Sequence, residues 1–123
     1  IILMATLFVV ALSRGFGDDE AHTHPAEWYA IMLFSIAGAM MMVGFENLIM
    51  LFVGLEILSV SMYILTGSDK RNLRSNEAAL KYFLLGAFAT GILLFGVALI
   101  YGTTGSFNIS DIAGYVNVNR YAV

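Results

Sequence analysis

The feature that most constrains this chain is a series of long apolar runs broken by almost no charge. From Asn47 to Thr66 the sequence reads N-L-I-M-L-F-V-G-L-E-I-L-S-V-S-M-Y-I-L-T, with Glu56 its one charged residue. Two more runs extend from about Trp28 to Gly44 and from about Glu77 to Tyr101. A helix needs roughly 20 apolar residues to cross a bilayer at about 1.5 Å rise per residue, and each run meets or approaches that length. The apolar residues are continuous rather than alternating, which favours helices over strands. Hydrocarbon also requires each spanning segment to satisfy its own backbone hydrogen bonds. Trp28 and Tyr29 stand where an aromatic belt sits.

Composition supports the same solvent. Hydrophobic residues make up 59% and charged ones 12%, and the mean hydropathy is +0.82. A soluble domain has about 25% charged and about 45–50% apolar residues. A chain this short, folded in water, would have to expose its apolar excess. The expected class is an all-α polytopic transmembrane helix bundle: half a span, three complete spans, then an interfacial amphipathic helix. The half-span is Ile1 to Leu12, read as the end of a crossing that begins earlier. The chain opens without an initiator Met or a positive n-region, which argues against a signal peptide.

Loop charges set the expected orientation. The segment Ser13–Glu27 carries Arg14 and the chain's only proline, and Gly67–Asn76 carries Lys70, Arg71 and Arg74. Only a tight turn, Gly44–Asn47, joins the first two complete spans. Crossings alternate sides, so both basic loops share one side, and the positive-inside rule makes that side cytoplasmic. The acidic run Asp18-Asp19-Glu20 counts little. After the last span, Ser106–Tyr115 mixes Phe107, Ile109, Ile112 and Tyr115 with polar residues. That pattern suits a helix lying at the interface, capped by Asn108 or Ser110.

Several function classes drop out. There are no cysteines, so disulfides, thiolate nucleophiles and cysteine-held metals or clusters are excluded. The net charge of −3 comes without a basic stripe, so nucleic acid is not an expected partner. His22 and His24 form an H-T-H pair beside the acidic run, but i, i+2 spacing in a loop fits a solvated polar segment better than a metal site. Met40–Met42 suit gap-filling in a packed interface. Gly86 with Thr90, and Ala87 with Gly91, are small residues four apart, suited to close helix approach. No phosphate loop, nucleophile elbow or metal-helix motif appears.

Glu56 carries the functional argument. Ten residues into a span of about 20, it lies near the bilayer midplane. An acid there costs about 2.5–3.5 kcal/mol on insertion scales. The aliphatic, Met and Phe side chains around it, at roughly 0.4 kcal/mol each, outweigh that penalty. Insertion is therefore no obstacle, but the choice of Glu needs a reason, and intramembrane ionisable groups are functional by default. The bland alternative is a neutral carboxyl bonded to a neighbouring helix. Ser59 at i+3 and Tyr63 at i+7 extend a polar stripe that should face protein or trapped water. Lys81 is the second candidate, roughly 7 Å inside the third complete span and about 7–8 Å shallower than Glu56. Lysine can snorkel to the interface, and Glu77 at i−4 offers an ion pair in the favoured order. Taken alone, Lys81 reads as an interfacial anchor or a partner of Glu77.

Read together, two segments resemble a known family. L-F-V-G-L-E-I-L-S-V-S-M-Y-I-L (Leu51–Leu65) is similar to the helix that carries the membrane glutamate in the antiporter-like subunits of respiratory complex I, the proton-pumping NADH:quinone oxidoreductase. S-N-E-A-A-L-K-Y-F-L-L-G-A-F-A-T-G-I-L-L-F-G-V-A-L-I-Y-G-T-T-G-S (Ser75–Ser106) resembles the following helix of the N-subunit family more closely than that of the M and L subunits or the sodium/proton antiporters. The likeness covers most of Trp28–Ser106. It implies an internal piece of a many-helix subunit, running from the third helix through the sixth. It implies that Glu56 pairs with a lysine on the next, broken helix, and that Lys81 is a coupled base for proton translocation. It also implies that this chain holds no redox cofactor, NADH and quinone being used by the whole complex. The expected partners are the other membrane subunits, the lipid bilayer and protons. The expected location is the bacterial plasma membrane, as an integral multi-pass protein. One departure stands out: the family commonly has proline where this chain has Ser61, so a kink near Glu56 is expected to be missing. Two rivals stay open, a cation/proton antiporter subunit of the same fold and a structural anchor in which Glu56 and Lys81 only hold helices together.

Overall fold

The computed structural model describes residues 1–13 and 25–120. Arg14, the acidic run, His22 and His24 lie outside the described residues. Five α-helices follow one another: α1 (Ile2–Ser13), α2 (Pro25–Val43), α3 (Leu48–Thr66), α4 (Leu73–Thr104) and α5 (Ile109–Arg120). Among the described residues α2, α3 and α4 are long and apolar enough to cross a membrane, and α1 is shorter and equally apolar. The chain is an integral, multi-pass membrane protein built as a helical bundle.

Local chemistry sets the helix ends. Pro25 opens α2, where its missing N–H would have lacked a helical partner anyway. Asn47 caps α3 by accepting from the Ile49 N–H at 2.8 Å. Asn72 caps α4 in the same way, accepting from the Arg74 N–H at 3.0 Å. That cap starts α4 at Leu73, a turn before the expected Glu77, so the helix has 32 residues. At 1.5 Å per residue it is about 48 Å long, and its ends extend past a hydrocarbon layer of about 30 Å. Gly105 closes α4 in the left-handed region, φ 71°, with its N–H bonded to the Tyr101 carbonyl at 2.7 Å. α5 begins at Ile109, later than the expected Ser106, because Ser106 and Phe107 belong to the turn. Asp111 ties that turn to the helix, accepting from Ser106 Oγ at 2.8 Å and Asn108 Nδ2 at 3.3 Å.

α3 packs antiparallel against both neighbours. On one side α2 and α3 meet backbone to backbone. A Cβ on Gly38 would lie 2.7 Å from the Leu58 nitrogen and 2.8 Å from the Gly54 oxygen. A Cβ on Gly54 would lie 3.0 Å from the Gly38 oxygen and 3.1 Å from the Met42 nitrogen. Met42 fills the space beside Gly54, the packing role expected of it. On the other side α4 meets α3 where Gly67 touches Ala79 and where Tyr63 fills the notch at Gly86. Gly91 has open space around it, so of the expected small pairs Gly86 makes the close approach.

At the end away from the Lys70–Arg74 turn, the α2–α3 and α4–α5 turns are clasped. The Leu48 N–H donates to the Phe107 carbonyl at 3.0 Å, and the Ile109 N–H to the Glu46 carbonyl at 3.1 Å. Asn47 Nδ2 donates to Asn108 Oδ1 at 3.0 Å. This one antiparallel bridge puts both turns on the same side, as alternating crossings require. Val97 is the one apolar side chain buried among the described residues, while Leu85 and Phe88 are each 71% exposed. Water would not tolerate that surface; lipid does, because packing and hydrogen bonding hold helices together there.

Two outcomes follow. Gly38→Ala should force the α2 and α3 backbones apart and cost about 1–3 kcal/mol, read as a lower unfolding midpoint of the full-length protein in detergent. Gly102→Ala, where a Cβ meets no atom of the chain, should cost nothing measurable. With no native cysteine in this chain, orientation can be read by labelling. Glu46→Cys should react with an impermeant thiol reagent on intact cells, and Arg71→Cys only in inverted vesicles.

Candidate functional site

Glu56 sits one residue before the midpoint of the nineteen-residue α3. Its Oε1 is excluded from solvent and has no hydrogen-bond partner, alone in that respect among the described side chains. Buried polar groups nearly always find partners, and one left without costs free energy. The helix explains why none is found within α3. A serine or threonine in a span can bond the carbonyl three or four residues back, as Ser61 does to Ile57 at 2.7 Å and Thr66 to Met62 at 2.8 Å. The amides within reach of a carboxyl oxygen are already used by the helix.

Face by face, α3 separates packing from chemistry. Gly54 and Ser61, both buried, are seven residues apart and lie on the α2 side. Glu56 and Tyr63 share the same spacing on the opposite side, and Tyr63 there touches α4 at Tyr82, Phe83 and Gly86. Ser59 lies between them and is half-buried. The polar stripe read from spacing therefore runs along the side of α3 that meets α4. α3 passes unbroken through Ser61, which is 2% exposed. Proline there would remove an N–H and bend the helix.

Lys81 occupies a different place. Its Nζ pairs with Glu77 Oε1, and both side chains are mostly exposed, at 69% and 62%. α4 touches α3 through Ala79, Tyr82, Phe83 and Gly86, and at 100° per residue Lys81 projects from the opposite side. Depth differs from expectation as well. Contact of Gly67 with Ala79 sets Lys81 level with the end of α3, about 15 Å along the axis from Glu56 rather than the expected 7–8 Å. The earlier start of α4 causes the difference. The structure does not bring Glu56 and Lys81 together.

Two features escaped sequence reasoning. One is the Gly38–Gly54 contact, whose only signal was a glycine in each of two consecutive spans. The other is the Asn47–Asn108 clasp, which joins residues 61 positions apart and has no local signature. No group of three or more His, Cys, Asp or Glu able to hold a metal occurs among the described residues.

Antiparallel membrane helices with a buried carboxyl at mid-span define a multi-pass membrane helix bundle that carries an ionisable group inside the bilayer. Comparison with known proteins narrows this. Residues 46–122 match the family model described as NADH:quinone oxidoreductase/Mrp antiporter, TM, and the chain belongs to that family. It is similar to NADH-quinone oxidoreductase subunit N of Flavobacterium psychrophilum, 47% identical over 98% of this chain and 26% of the relative. It is also similar to the subunit N of Flavobacterium johnsoniae, 49% identical over 91% of this chain and 24% of the relative. Subunit N 1 of Koribacter versatilis is 52% identical over 92% of this chain and 22% of the relative. The chain spans about a quarter of the length of these curated relatives.

The exposed Glu77–Lys81 pair sets an expectation of its own. Glu77→Gln should change stability by less than about 0.5 kcal/mol, measured as the detergent unfolding midpoint of the full-length protein.

Proposed function

We propose that this chain is part of a proton channel in the membrane arm of a proton-pumping NADH:quinone oxidoreductase. In this reading Glu56 takes up and releases a proton at mid-membrane, and Lys81 is a coupled base nearer the cytoplasmic face. The observation that carries the proposal is the buried, unpartnered Oε1 of Glu56. No hydrogen bond within this chain holds that carboxyl oxygen to a neighbouring helix, and intramembrane acids are retained for function. Ser59 and Tyr63 extend the polar stripe, and Glu77 holds the Lys81 side chain. The names of the relatives, all NADH-quinone oxidoreductase subunit N, favour this reading over its rivals. NADH and quinone would react elsewhere in the complex, with energy reaching this chain through neighbouring membrane subunits and no redox group held here.

Because Lys81 stands far from Glu56 and on another face of α4, the base that Glu56 meets directly belongs to a part of the subunit outside this chain. A cation/proton antiporter remains the second reading, since the family description covers both. In that case Glu56 would bind sodium or potassium in exchange for its proton.

Glu56→Gln keeps the shape and removes the titratable group. In the assembled complex it should abolish most proton pumping, measured as vesicle acidification during NADH oxidation, while subunit content stays normal. Unchanged pumping would leave the structural anchor as the better reading. Pumping that depends on added sodium would favour the antiporter.

A further inference from the structure

The α3–α4 seam is closed between Glu56 and the basic end of the bundle. Tyr63 lies two helical turns, about 10.5 Å, from Glu56 toward that end and on the same face of α3. Its ring meets Tyr82 edge-on at 4.7 Å and 85°, and Phe83 at 5.9 Å and 86°. Its hydroxyl occupies the space that a side chain at Gly86 would fill. One turn further out, Gly67 is close enough to Ala79 that a Cβ on the glycine would lie 2.9 Å from the alanine methyl. Two successive contacts thus fill the seam, and the inner one is a large side chain with rotatable bonds seated where its partner has none.

We propose that Tyr63, seated on Gly86, is a steric seal that keeps cytoplasmic water from reaching Glu56 along the α3–α4 seam, and that this route opens only when the ring leaves its notch. The inference rests on the reading of Glu56 as a proton-carrying group and adds control of its access. Two edge-to-face contacts hold the ring, firmly enough to favour the closed rotamer and weakly enough for a shift of α4 against α3 to release it. With the ring in place, hydrogen ions reach Glu56 by another route. With it displaced, Glu56 opens to the side carrying Lys70, Arg71 and Arg74.

Thiol accessibility in the full-length subunit of the assembled complex tests this. Ser59 lies between Glu56 and Tyr63 along α3, about 6 Å inside the seal, and the chain has no cysteine of its own. In inverted membrane vesicles, Ser59→Cys should react slowly with an impermeant maleimide. Adding Tyr63→Ala should raise the rate about tenfold or more, the factor that corresponds to about 1.4 kcal/mol of closure. Adding Tyr63→Phe keeps the ring and should leave the rate low. If Tyr63→Ala prevents assembly, Gly86→Ala serves instead, because the new methyl expels the hydroxyl from its notch and should also accelerate labelling. Rapid labelling with Tyr63 intact, no acceleration on opening the notch, or acceleration by the phenylalanine variant equal to that of alanine would each overturn the seal. The rate needs no proton transport, so it stands or falls separately from the pumping of Glu56→Gln.

Discussion

Hydrocarbon offers no hydrogen bonds, and the rest of this structure follows from how its polar groups answer that fact. Backbone amides are taken up by unbroken helices. Four hydroxyls turn back onto their own helix, Ser35 to Met32, Ser61 to Ile57, Thr90 to Ala87 and Thr104 to Ile100, while Ser75 of α4 reaches the Thr66 carbonyl of α3. Asparagines are kept for the ends, where Asn47 and Asn72 supply caps and Asn47 and Asn108 join two turns. Glu56 is the group for which the helix has no answer. A buried acid that its own helix does not satisfy has to be met by water or by a group from another helix.

The two faces of α3 surround that group differently. Glycine on one face lets α2 approach to backbone contact at Gly38 and Gly54, leaving no room for a side chain there. Aromatic packing on the other face fills the seam toward the basic end. Glu56 Oε1, on the face turned toward that seam, is excluded from solvent. Insulation is a requirement for pumping, since a carboxyl open to both sides at once would leak. The clasp at the far end adds rigidity by fixing the start of α3 relative to the end of α4. The other end is tied as well, by the short Gly67–Asn72 turn and by the bond from Ser75 Oγ to the Thr66 carbonyl at 2.6 Å.

Much of this was legible in the sequence because lipid simplifies the code. The apolar runs gave three crossings, and one acid in a run gave Glu56 at mid-span. The i, i+7 spacing placed Tyr63 on its stripe, and the i, i+4 spacing paired Glu77 with Lys81. Helix ends were legible only in part. The asparagine before Leu73 caps α4 a turn earlier than hydropathy indicates, because a cap is decided by one side chain and a hydropathy run by many. Long-range contacts were not legible at all. The Gly38–Gly54 approach and the Asn47–Asn108 pair depend on how helices register against each other, and residues local to each helix do not specify that.

The register also decides what Lys81 can do. Counting from the apparent start of the span placed it about 7–8 Å from Glu56 in depth, whereas the Gly67–Ala79 contact moves it to the level of the α3–α4 turn and the opposite face. Proton transfer in one step needs donor and acceptor at about 2.6–3.2 Å, or one water between them. About 15 Å along the axis with α4 itself intervening is several such steps. If both residues serve one path, the intermediate groups must come from helices packed on the exposed faces of α3 and α4, and these faces must be wet in places where this chain is apolar. The coupling between Glu56 and Lys81 is then a property of the assembled subunit, set by the water and bases that the neighbouring helices contribute.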